Sequence, residues 1–69
     1  MYKEISKDEL LDILREQKIN YEVKVRTKND KIVKFHNSVI DEIDVDDVKS
    51  VEFFIKKDYG LHLCLLKVV

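Results

Sequence analysis

The spacing of apolar and polar positions changes once along the chain, from a helical period to an alternating one. Leu10, Leu11, Ile13 and Leu14 recur at helical spacing and form a broad apolar stripe among charged residues. Ser6 stands three residues before Glu9, a capping box whose side chains satisfy N–H groups left unpaired in a first turn, so a helix is predicted to start at Lys7. Ile5 and Leu10 are spaced to form a hydrophobic staple across that start. Lys18 suits the C-terminal end of the helix dipole, and Asn20 can stop the helix.

From Tyr21 the period drops to two. Tyr21, Val23 and Val25 alternate with Glu22, Lys24 and Arg26 as in a half-buried strand, and Val33 and Phe35 resume the alternation after a polar turn. A two-residue Asn29-Asp30 turn would set Val25 opposite Lys34. A three-residue Lys28-Asn29-Asp30 loop pairs Val25 with Val33 and Val23 with Phe35, keeps each face uniform, and is preferred. The same reasoning in the C-terminal half predicts an Asp58-Tyr59-Gly60 loop, with the single glycine of the chain in the left-handed conformation. That loop pairs Ile55 with Leu63 and Phe53 with Leu65 on one face, and Phe54 with Cys64 and Glu52 with Leu66 on the other. Residues 38–48 admit two readings: Asp44 caps a short turn carrying Val45 and Val48, or Ile43 and Val45 prolong a strand.

Together these elements predict one small α+β domain over residues 1–69, an N-terminal helix packed on a four-stranded antiparallel sheet built from two hairpins. No cluster of Pro, Ser or Gly marks a linker, and no repeat is present. Within 69 residues a substrate pocket of ordinary volume competes with the core for side chains, which weighs against an enzyme. A single cysteine, no signal-like segment and no bilayer-length apolar run point to a cytoplasmic protein without a membrane partner.

Side chains with reactive chemistry are few. Cys64 and His62 are the only neighbouring thiol and imidazole, and two residues apart on one strand they stand about 7 Å from each other, long for proton transfer. His36, His62 and Cys64 match no zinc-finger spacing. The carboxylate run fails as a calcium loop, since counting from Glu42 puts Asp47 sixth and Phe53 twelfth, where glycine and glutamate are required. One glycine cannot build a phosphate-binding loop. No catalytic residue, metal site or cofactor is therefore expected.

Net charge is -1, yet the charge is segregated. Residues 18–36 hold six basic and two acidic side chains, whereas residues 41–52 hold six acidic and one basic. Two functional expectations follow. The first is a non-enzymatic protein-binding module, a small bacterial or phage-like inhibitor or accessory protein that occludes a partner. Its basis is the C-terminal strand, apolar on both faces: Leu61, Leu63 and Leu65 on one, Cys64, Leu66 and Val68 joined by Phe54 on the other. A helix covers one face, so the second set requires residues 39–48, a symmetry mate in a homodimer, or a partner to bury it. Phe54, Leu66 and Val68 are the expected anchors. Asp41, Glu42, Asp44, Asp46 and Asp47 would steer a basic partner such as a nucleic-acid-processing protein. The alternative expectation is direct nucleic-acid binding through Lys24, Arg26, Lys28, Lys31 and Lys34 of the first hairpin, with no aromatic platform among them.

Overall fold

A computed structural model describes residues 1–16 and 22–69. The expectations placed on Lys18, Asn20 and Tyr21 lie outside the described residues. Elements run β1 (Lys3–Ile5), α1 (Lys7–Glu16), β2 (Glu22–Thr27), β3 (Ile32–His36), β4 (Val48–Lys57) and β5 (Gly60–Val68). Two 3-10 segments, Asn37–Glu42 and Val45–Asp47, lie between β3 and β4.

The sheet is five-stranded and mixed, in the order β1-β5-β4-β2-β3, rather than four-stranded and antiparallel. The added strand, β1, pairs in parallel with the end of β5, Lys3 against Leu66 and Ile5 against Val68. At three residues it is too short to show an alternating pattern. Because β1 and β2 run the same way with β5 and β4 between them, the connection that contains α1 leads from one edge strand to the strand next to the other edge, and α1 lies over one face. Helix α1 begins at Lys7 as predicted: the Glu9 N–H donates to Ser6 Oγ at 3.1 Å, and the Ser6 hydroxyl donates to Glu9 Oε1 at 3.3 Å.

On the covered face, Leu10 and Leu14 of α1 pack over Ile5, Val23, Val25, Val51, Phe53 and Leu66. The acidic linker closes the same face. Ile43 and Val48 are buried there, with Ile40 and Val45 packed alongside. Asp44 caps the second 3-10 segment by accepting the Asp46 N–H at 3.1 Å, the first of the two readings of this stretch. Residues 39–48 therefore bury the helix side of the sheet, and among the described residues they leave the other face open.

The first hairpin has the predicted register, Val25 against Val33 and Val23 against Phe35. Its loop is closed by the Thr27 N–H on the Lys31 carbonyl at 2.8 Å, and Asp30 takes the left-handed position at φ 63°. The second hairpin is shifted by one residue from its expected register. Lys57 pairs with Gly60, leaving a two-residue Asp58-Tyr59 turn, and it is Asp58 rather than Gly60 that adopts positive φ, at 54°. Phe53 consequently pairs with Cys64, Phe54 with Leu63 and Ile55 with His62. A shift of one residue exchanges the faces of a strand. Cys64, Leu66 and Val68 face the core, while Leu61, Leu63 and Leu65 share the open face with Phe54.

Candidate functional site

Register alone assembles the open face. Along β4 it carries Ser50, Glu52, Phe54 and Lys56; on β5, Lys67, Leu65, Leu63 and Leu61 stand opposite them. On the other side β2 contributes Arg26 and Lys24 opposite Ser50 and Glu52, and β3 adds Ile32, Lys34 and His36 beyond them. The face thus has an apolar half over β4 and β5 and a cationic half over β2 and β3. Phe54, Leu61 and Leu63 are 40%, 45% and 50% exposed, large values for neighbouring side chains on one sheet. No helix or 3-10 segment covers this face among the described residues, and Tyr2 lines a shallow depression on it with Lys24, Arg26 and Ser50.

Where the two halves meet, a depression of about 510 Å³ is lined by Phe54 and Leu63 on one side and Glu22, Lys24, His36 and Glu52 on the other. Lys24 stands between Lys34 and Glu52 in adjacent strands, so the carboxylate offsets the repulsion of two lysines placed directly opposite. His36 is oriented by its own loop: Nδ1 accepts the Ser38 N–H at 3.3 Å and lies 2.9 Å from the Ser38 hydroxyl.

The expected anchors do not form one surface. Leu66 is 7% exposed against Val51, and the half-buried Val68 packs on the core beside Ile5, so both lie on the helix side of the sheet. Phe54 is exposed on the opposite face. Sequence reasoning missed Leu61 and Leu63 as its neighbours, because both alternating sets of β5 are apolar. A signal was present in Lys67, which interrupts the odd-numbered set and marks it as the solvent side.

The five acidic candidates lie behind the sheet. Asp46 holds Lys7 at 2.7 Å, and that hydrogen-bonded lysine keeps the Asp46 carboxyl below the usual carboxylate range. Asp44 is occupied as a cap, and the Asp47 carbonyl accepts the Lys28 N–H at 3.0 Å. Glu42, Asp44 and Asp47 rim a small cleft floored by Val25, Val33 and Phe35 on the helix side, while Asp41 is exposed nearby. This arrangement ties the linker to the hairpin loop and to α1, and it points away from Phe54.

Of the basic candidates, Lys24, Arg26 and Lys34 share the open face, whereas Lys28 and Lys31 sit in the hairpin connection before β3. His62 and Cys64 face the helix side on β5, whereas His36 faces the open side on β3, three strand spacings or about 14 Å away. No cluster of metal-ligating side chains occurs among the described residues. Burial pushes the Cys64 thiol up, away from the thiolate a nucleophile requires. No described helix is long and apolar enough to cross a membrane. Comparison with protein-family models, curated proteins and solved structures finds no match to this chain.

Proposed function

We propose that the chain is a non-enzymatic protein-binding module, a small cytoplasmic inhibitor or accessory protein that covers part of a partner with the open face of its sheet. The observation that carries this reading is the joint exposure of Phe54, Leu61 and Leu63 on a face that no described helix or 3-10 segment covers. Apolar side chains grouped this way recover free energy when water is excluded from them, and an aromatic at the centre of such a patch is a common energetic anchor. Lys24, Arg26 and Lys34 stand beside the patch and fit a partner with an acidic rim around its own apolar surface. The acidic run, being on the helix side, serves the fold and the solubility of the back surface rather than this contact.

Direct binding of single-stranded nucleic acid is the second reading. It is favoured by one arrangement: Lys24, Arg26 and Lys34 share a face with Phe54 and Tyr2, aromatics on which bases could stack. Affinity capture from cell extract with wild-type protein, Phe54→Asp and Lys24→Glu, alongside titration of a labelled oligonucleotide in dilute salt, separates the two. The protein-binding reading expects a protein captured by wild type, captured more weakly by Lys24→Glu and lost with Phe54→Asp. Oligonucleotide binding that weakens steeply with salt and falls with Lys24→Glu, without such a protein, overturns it.

A further inference from the structure

Strand β5 is paired along both edges only at its end. β1 covers Leu66, Lys67 and Val68, so residues 60–65 have β4 on one side and no strand on the other among the described residues. The Val69 N–H donates to the Ile5 carbonyl at 2.9 Å, toward the β1 side. Main-chain groups alternate in direction along a strand, so the N–H and C=O of Leu61 and Leu63 turn outward to that same free edge. The edge sequence Leu61-His62-Leu63-Cys64 contains no Lys, Arg, Asp, Glu or Pro. Edge strands that must stay single usually carry such residues, and the opposite edge of this sheet, β3, has Lys34 at its centre.

We infer that residues 60–64 of β5 pair antiparallel with the same segment of a second copy of this chain, about a twofold axis at His62, joining two five-stranded sheets into one. In that register Leu61 of each copy stands opposite Leu63 of the other, and both residues present outward main-chain groups, as a hydrogen-bonded pair requires. The two leucine pairs lie on the open face, and the two His62 side chains meet on the helix side. An axis one residue further along, at Leu63, would align Gly60 of the second copy with Leu66, the position beside which Lys3 already sits. The axis at His62 instead sets Gly60 of the second copy opposite Cys64, clear of β1, so that only its Asp58-Tyr59 turn reaches the start of β1, with Asp58 beside Lys3. Both helices remain on one side, and the Phe54–Leu63 patches of the two copies merge into one apolar strip. The pairing uses the strand edge and does not depend on what the open face binds.

Sedimentation equilibrium from about 1 µM to 1 mM tests this with His62→Glu and His62→Lys, substitutions at an exposed position whose fold is checked by circular dichroism. Wild type should rise with concentration from the 8.2 kDa chain mass to twice that value. Each variant alone should stay at the chain mass, because like charges face each other across the axis, and an equimolar mixture of the two should dimerise. Phe54→Asp, one strand in from the edge, should dimerise as wild type does. A wild type that remains monomeric at every concentration, or single His62 variants that dimerise as well as wild type, overturns the inference, as does a dimer abolished by Phe54→Asp.

Discussion

Truncation of Leu66 and of Leu63 should have very unequal costs, because the observed register puts one in the core and the other in water. Leu66 lies against Val51 at 7% exposure, whereas Leu63 is 50% exposed. Leu66→Ala removes three buried carbons, roughly 2.4 kcal/mol at about 0.8 kcal/mol per methylene, and the residual cavity brings the loss to about 3 kcal/mol. A domain of this length has on the order of 3–10 kcal/mol in total, so the variant should be marginally folded. Its melting temperature should fall by roughly 12–24 °C, at about 4–8 °C per kcal/mol for so small a domain. Leu63→Ala should stay within about 0.5 kcal/mol of wild type. Urea titration followed by circular dichroism reads both, at a dilution where the midpoint no longer depends on protein concentration. Equal costs, or a larger cost for Leu63→Ala, would refute the burial of the even-numbered side chains of β5.

Ser6→Ala should lower stability by about 1 kcal/mol through loss of the oxygen that accepts the Glu9 N–H, a change visible in the urea midpoint. At the Asp58-Tyr59 turn, Asp58→Val should cost about 1–2 kcal/mol, because a β-branched residue resists φ 54°, while Asp58→Gly should be tolerated. The reverse order would refute the turn. Asp30 and Asp46 have carboxyls held below their ordinary value by hydrogen bonds from Lys49 and Lys7. Their contribution to stability is present above the ordinary value of 3.8 and is lost as pH falls through the depressed folded-state value. Both pairs are exposed, so urea midpoints compared at pH 6 and pH 3 should show only a small part of any acid loss restored to Asp30→Asn or Asp46→Asn variants, and added salt should shrink it.

The sequence carries enough information for α1, for the first hairpin and for the α+β class. In β2 and β3 each face has its own chemistry, Val23, Val25, Val33 and Phe35 against Lys24, Arg26 and Lys34, so only one register buries the apolar set. The second hairpin lacks that discrimination. Sliding β5 by one residue exchanges Leu63 and Leu65 for Cys64 and Leu66, sets of similar hydrophobicity, and Gly60 invites a loop one residue too long. The decision belongs to tertiary packing, where Lys67 must face solvent and Val68 must meet Ile5. β1 was illegible for a different reason. Ile5 is its one buried side chain and reads equally well as part of the helix cap; pairing with a strand more than sixty residues away defines it. The candidate surface inherits both gaps. The sequence singles out Phe54, but its neighbours on the surface depend on the register of β5, and the acidic run expected beside it lies on the far side of the sheet.

Amide hydrogen exchange along β5, resolved by residue and measured at two protein concentrations, tests most directly which atoms of this strand are free. In dilute solution the N–H groups of His62 and Cys64, bonded to β4, should be protected, while those of Leu61 and Leu63 exchange quickly; at high concentration Leu61 and Leu63 should become protected as well. Protection of Leu61 and Leu63 with rapid exchange at His62 and Cys64 in dilute solution would contradict the register on which the open face and the free edge both rest.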